Sequence, residues 1–252
     1  MLSIKKKVIP EMWYTYLTID LASIAVPFIF SFHPKLRFYR HWGALLPALL
    51  IPGLFFICWD CFFTAKGVWG FNPKYVSGVY LFNLPLEEIL FFLCIPYACL
   101  FSYHSIFTLW PKLHLPHRLT KLISWGLIAA GLCIAYIYSE KSYTFLTLLL
   151  MSLFIFGVTM LYKNQWVDRF YICYACMLLP FLIVNGLLTG SWIQEPVVWY
   201  NAAEIAGPRL LTIPLEDIAY GLLLIGVEVA LYEYLLAGKR QALTYRSFQE
   251  GG

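Results

Sequence analysis

Two short runs, Pro85-Leu86-Glu87-Glu88 and Pro214-Leu215-Glu216-Asp217, place adjacent acids inside stretches that are otherwise apolar. Asp20, Asp60 and Glu228 lie in similar surroundings. On insertion scales an acidic residue near the bilayer centre costs roughly 2.5–3.5 kcal/mol. Carboxyls crowded at low dielectric cannot all ionise, so at least one keeps its proton at neutral pH. A neutral carboxylic acid in a dry site is a general acid, and a charged neighbour can take a proton back. The pattern predicts proton-transfer chemistry by Glu87, Glu88, Glu216 and Asp217, with Asp60 tuning them. It leaves open which carboxyl donates and which accepts. A plainer reading competes: Asn83 and Thr212 as N-caps, with acids in the first helical turn. That accounts for one acid per helix, but less well for two, repeated, inside membrane.

The elements that must hold these acids are membrane helices. The chain has 252 residues, of which 61% are apolar and 13% charged, with a mean hydropathy of +0.71. A soluble domain carries roughly 25% charge. Apolar stretches of spanning length fall at about 12–32, 42–64, 79–103, 119–138, 143–162, 170–189 and 211–237. Pro27, Pro52, Pro96 and Pro180 lie inside them as tolerable kinks. Loop Lys and Arg favour the N-terminus outside and the C-terminus inside, although Lys5, Lys6 and Lys7 pull the other way.

The chain also repeats itself. Trp59-Asp60-Cys61-Phe62-Phe63-Thr64 precedes Trp69 and Asn72-Pro73; Asn185-Gly186-Leu187-Leu188-Thr189 precedes Trp192 and Tyr200-Asn201. Asp60 to Thr64 and Asn185 to Thr189 share one spacing, and each leads to a Pro-Leu-Glu-acid run. The expected architecture is all-α: seven transmembrane helices in two parallel three-helix repeats, 1–110 and 143–252, joined by a connector helix in 111–142. One connector gives both repeats the same orientation, so both acid motifs enter from one face, the predicted outer one.

Further residues fit a cationic intermediate. Tyr200, Tyr220 and several Trp and Phe residues flank the motifs, and aromatic faces stabilise positive charge. Most of them fit an interfacial belt equally well. Asn72, Asn185 and Asn201 could orient carboxyls, with loop capping as the alternative for the two loop asparagines. Arg209, just before the seventh span, is the candidate counter-ion.

Other classes lose support. The sequence has no G-x-G-x-x-G and no P-loop. It has no His cluster for a metal, and its His residues sit at helix ends or in loops. No Asp-Asp-x-x-Asp points to magnesium–diphosphate chemistry. No Lys lies between Arg209 and Lys239, which argues against a retinal Schiff base on the seventh helix. Cys58-x-x-Cys61 and Cys173-x-x-Cys176 lie within spans and read as packing residues. No feature supports nucleic-acid binding.

Asn83-Leu-Pro-Leu-Glu-Glu88, Thr212-Ile-Pro-Leu-Glu-Asp217 and the stretch from Pro196 through Gly207-Pro-Arg209 to Tyr220-Gly221 resemble the membrane-integral lycopene cyclases. The similarity covers nearly the whole chain and corresponds to the fused form, without a phytoene synthase domain. It implies a cofactor-independent reaction in which an acid protonates the terminal double bond of a ψ end group. The next double bond closes a six-membered ring, and a base removes a proton. The implied partners are lycopene or a related acyclic carotenoid, membrane lipid and other carotenoid-pathway enzymes. The implied setting is a bacterial-type cytoplasmic membrane. On this reading Glu87 or Glu216 is the expected donor, tuned by Asp60 and Arg209, and substrate slides in between helices. A non-enzymatic carotenoid- or lipid-binding protein, or a proton-coupled one, is the rival from another class.

Overall fold

The computed structural model describes residues 12–161 and 166–250; Lys5 to Lys7 lie outside them. Among the described residues there are seven α-helices. They are α1 (Thr15–Phe30), α2 (Trp42–Ala65), α3 (Leu86–Leu109), α4 (His117–Ile137), α5 (Ser142–Leu161), α6 (Trp166–Thr189) and α7 (Leu215–Glu250). Six are long and apolar enough to cross a membrane. The exception is α1, whose 16 residues span about 24 Å at the helical rise, short of the ~30 Å hydrocarbon core.

The third and seventh helices start later than their apolar stretches suggest, at Leu86 and Leu215. The residues before them form hairpins: β2 (Tyr80–Leu81) pairs with β3 (Leu84–Pro85), and β5 (Arg209–Leu210) with β6 (Ile213–Pro214). Proline explains the boundary, because it holds the residue before it extended and starts a helix without needing its own N–H. The expected caps therefore do other work. Asn83 Nδ2 donates to the Cys61 carbonyl at 2.8 Å, and Thr212 Oγ1 bonds the hydroxyls of Thr189 and Ser191.

The hairpins match in detail. Phe82 and Leu211 have φ of 58° and 56°, a strained region for bulky side chains. Leu86 N–H donates to Val79 O, and Leu215 N–H to Pro208 O. All these pairs of positions lie at the same offset in the sequence.

Strands β1 (Trp69–Phe71) and β4 (Val198–Tyr200) then join the two halves as an antiparallel pair. Asn72 N–H donates to Val197 O and Asn201 N–H to Val68 O, both at 2.8 Å. Gly70 lies opposite Trp199, where a Cβ would come within 2.4 Å of the indole. Beneath this cap α7 is central, packed on α2, α3, α5 and α6; α1 leans on α3, and α4 on α5.

Candidate active site

The two acids of each motif part company. Neighbouring helical residues point about 100° apart, so both cannot face one cavity. Glu87 turns to the loop before its hairpin and accepts the Ser77 N–H at 2.6 Å. Glu216 does the same for the Ala206 N–H at 2.7 Å, and also accepts the Thr144 hydroxyl. Each donor lies ten residues before its acceptor. Glu87 and Glu216 thus anchor loops.

Glu88 and Asp217 point the other way, into a cavity of about 310 Å³ between α1, α3, α6 and α7. Asp60 of α2 reaches the same cavity. Three carboxyls from both halves of the chain therefore meet in one apolar, aromatic space.

Their hydrogen bonding differs. Glu88 accepts the Tyr16 hydroxyl at 2.6 Å and faces the same cavity as Asp60. Asp60 accepts the Trp69 indole N–H. Asp217 instead collects three donors: Tyr143 Oη at 2.7 Å, Tyr200 Oη at 2.9 Å and Asn185 Nδ2 at 3.0 Å. Three donors on one carboxyl favour its charged form over its protonated one. Burial, with Asp217 next, pushes the Tyr200 hydroxyl well above the usual phenol range, so it stays a donor. The repeat has placed an aspartate at Asp60 and an asparagine at its counterpart, Asn185, and each meets the second acid of the motif that follows it.

The remaining expected residues fall into place around this core. Tyr220 lines the cavity and forms an edge-on wall with Phe56 and Trp59. Asn72 and Asn201 cap loops: their Oδ1 atoms accept the N–H groups of Lys74 and Ala203. Asn72 also donates to Glu195, which pairs with Lys74 at 2.7 Å above the site. Hydrogen bonding in that exposed pair holds the Glu195 carboxyl below its ordinary range and raises the Lys74 ammonium.

Arg209 is not placed as a counter-ion. Its guanidinium donates to the Thr212 carbonyl within the hairpin at 2.6 Å and lies over the Tyr200 ring. Among the described residues it makes no ion pair with the carboxyl cluster. Asp20 and Glu228 are both fully buried, and among the described residues their oxygens have no hydrogen-bond partner. Asp20 lies near Glu87 and Glu88. No group of three or more His, Cys, Asp and Glu among the described residues is arranged to hold a metal.

Tyr16 and Tyr143, which bond Glu88 and Asp217, went unforeseen. Their signal in the sequence is weak: a tyrosine near the start of the first helix of each half.

The family model described as Lycopene cyclase matches residues 12–106 and, a second time, residues 140–235. The chain belongs to the lycopene cyclase family. Each match within the lycopene cyclase pattern covers one hairpin and one Pro-Leu-Glu-acid motif. A bifunctional lycopene cyclase/phytoene synthase of Phycomyces blakesleeanus is 29% identical over 108 residues, 41% of this lycopene cyclase family chain. The aligned region is 18% of that relative's length. No solved structure matches the chain.

Proposed function

We propose that the protein is a lycopene β-cyclase, embedded in a membrane by seven helices with its N-terminus outside. The observation that carries this reading is the meeting of Asp60, Glu88 and a donor-rich Asp217 in one apolar, aromatic cavity; in it Asp60 and Glu88 share one proton, because crowded carboxyls at low dielectric do not all ionise. The antiparallel joining of equivalent segments through β1 and β4 supports two parallel three-helix repeats related by an axis along the bundle. In this arrangement α1 spans as well, which brings the count to seven, its shortness offset by Trp13 and Tyr14 at its start.

The Asp60–Glu88 pair protonates the terminal double bond of a ψ end group. The resulting tertiary cation is attacked by the next double bond of the same chain, which closes the ring and moves the positive charge into it. The faces of Trp69, Tyr143 and Tyr220 stabilise that charge. Asp217 removes a proton beside the cationic carbon, leaving the β double bond. Tyr143, Tyr200 and Asn185 keep Asp217 oriented for this step, while Glu87 and Glu216 hold the loops that close the site. One proton enters and one leaves, so the reaction is an isomerisation needing no redox cofactor. Asp217 gives up its proton to the aqueous phase and the Asp60–Glu88 pair takes one from it, which resets the enzyme. A protein that only bound pigment would need the cavity, but not a shared proton at its end.

Expression in cells that accumulate lycopene tests this reading. The expected pigments are γ-carotene and β-carotene. Unchanged lycopene, with the protein inserted in the membrane, would overturn the cyclase; ε rings alone would overturn the β assignment.

A further inference from the structure

We propose that the substrate enters sideways from the bilayer through the seam between α1 and α6 and lies lengthwise in the slot behind it. The inference rests on the cyclase reading above. The cavity is not a bowl: along α3 it is lined from Glu88 down to Ser102, a depth of about 20 Å at the helical rise. Its carboxyls sit at one end and its remaining walls are almost wholly apolar, which suits a long linear polyene with its acyclic end against the acids.

The closed end is the wrong place to enter. The loops before both hairpins are bonded to Glu87 and Glu216, and β1 and β4 supply Trp69 and Tyr200 to Asp60 and Asp217. The side is different. Ser23 and Pro27 of α1 and Pro180, Phe181 and Val184 of α6 all line the slot, so these two helices form one of its walls. They touch only sparsely, whereas α1 packs closely on α3. Each carries a proline in this wall, where a missing backbone hydrogen bond lowers the cost of bending. The outer surface of the seam exposes Val26, Leu179 and Ile183, so an apolar chain crosses it without meeting water.

The duplication supplies an internal comparison. A second cleft lies between α2, α5 and α7, the counterparts of α6, α1 and α3. It too is apolar and lies against exposed helix surfaces, but no carboxyl lines it. Phe56 lines this cleft and Tyr220 the slot, and their rings meet edge-on between the two. Of two equivalent clefts, one leads to the chemistry and the other is a dead end. A single port also fixes how a two-ended substrate is handled: one end is inserted, the other stays in the lipid, and the molecule must withdraw and turn before its second end reacts.

Bulk placed in each cleft tests the port. Ser23→Trp and Val184→Trp fill the proposed route from opposite walls, and Leu153→Trp puts the same bulk into the second cleft. Ring formation per inserted protein and lycopene retained on purification are both measured, with thermal unfolding as a check on folding. In Ser23→Trp and Val184→Trp, ring formation is expected to fall about 100-fold, as when a substrate misses its reactive position, and retained lycopene to fall with it. Leu153→Trp is expected to match the parent in both. Parent-like turnover in the two folded slot variants, or an equal loss in Leu153→Trp, would overturn the port. If the parent forms no rings, the cyclase reading fails; the port then stands or falls on whether only the slot variants lose bound lycopene.

Discussion

Glu88→Gln is expected to leave lycopene uncyclised. The substitution keeps the shape of the side chain, and its carbonyl oxygen can still accept the Tyr16 hydroxyl. Its amide can donate to Asp60 but has no acidic proton to give away. What disappears is the general acid, a loss of about 10²- to 10⁴-fold in rate. Glu87→Gln is the matched control one residue away. Its carbonyl can still accept the Ser77 N–H, and the bond loses only its charge assistance, so ring formation should stay within about fivefold of the parent, or ~1 kcal/mol. Pigment chromatography, normalised to inserted protein, reads both. Equal losses in the two variants would mean that the site fails through its loops and not through its acid.

Asp217→Asn is expected to change what is made as well as how much. The amide removes the charge that Tyr143, Tyr200 and Asn185 converge on, and sets its own N–H groups against theirs unless Asn185 flips. The Asp60–Glu88 pair remains, so protonation and ring closure can still begin. Without its base the cation loses its proton at another carbon. Ring yield should drop about 10²-fold, and the residual rings should be enriched in ε or γ double-bond positions. A purely structural role for Asp217 would lower the yield and leave the isomer ratio unchanged, so the ratio decides between them.

The acids and their repetition were legible in the sequence because burying charge is costly and a duplicated motif leaves two copies of that cost to find. The divergence within each motif was also accessible, since successive helical side chains point about 100° apart. Taking all four acids as one set, with Glu87 or Glu216 as donor, passed over that rotation. The hairpins were harder to see. Phe82 and Leu211 occupy positive φ without being glycine, so no residue type announces the turn, and Asn83 and Thr212 resemble caps for a helix that begins only after the proline. Tyr16 and Tyr143 reach Glu88 and Asp217 across more than seventy residues of chain, through helix packing that local pattern does not encode. Arg209 was the obvious cation, but a guanidinium at a hairpin can satisfy a nearby carbonyl more readily than it can enter an apolar cavity. The apolar stretch at 12–32 is longer than α1 because Met12, Trp13 and Tyr14 continue the apolar run without continuing the helix.

The central claim is that ring closure starts with a proton delivered by a protein carboxyl. The most direct measurement is the deuterium content of rings formed from unlabelled lycopene by the purified protein in lipid vesicles equilibrated in heavy water. The account predicts one deuterium in each ring formed, on the carbon protonated at the start, and none elsewhere. Rings that form without deuterium, or lycopene that stays open with the protein folded and inserted, would contradict it.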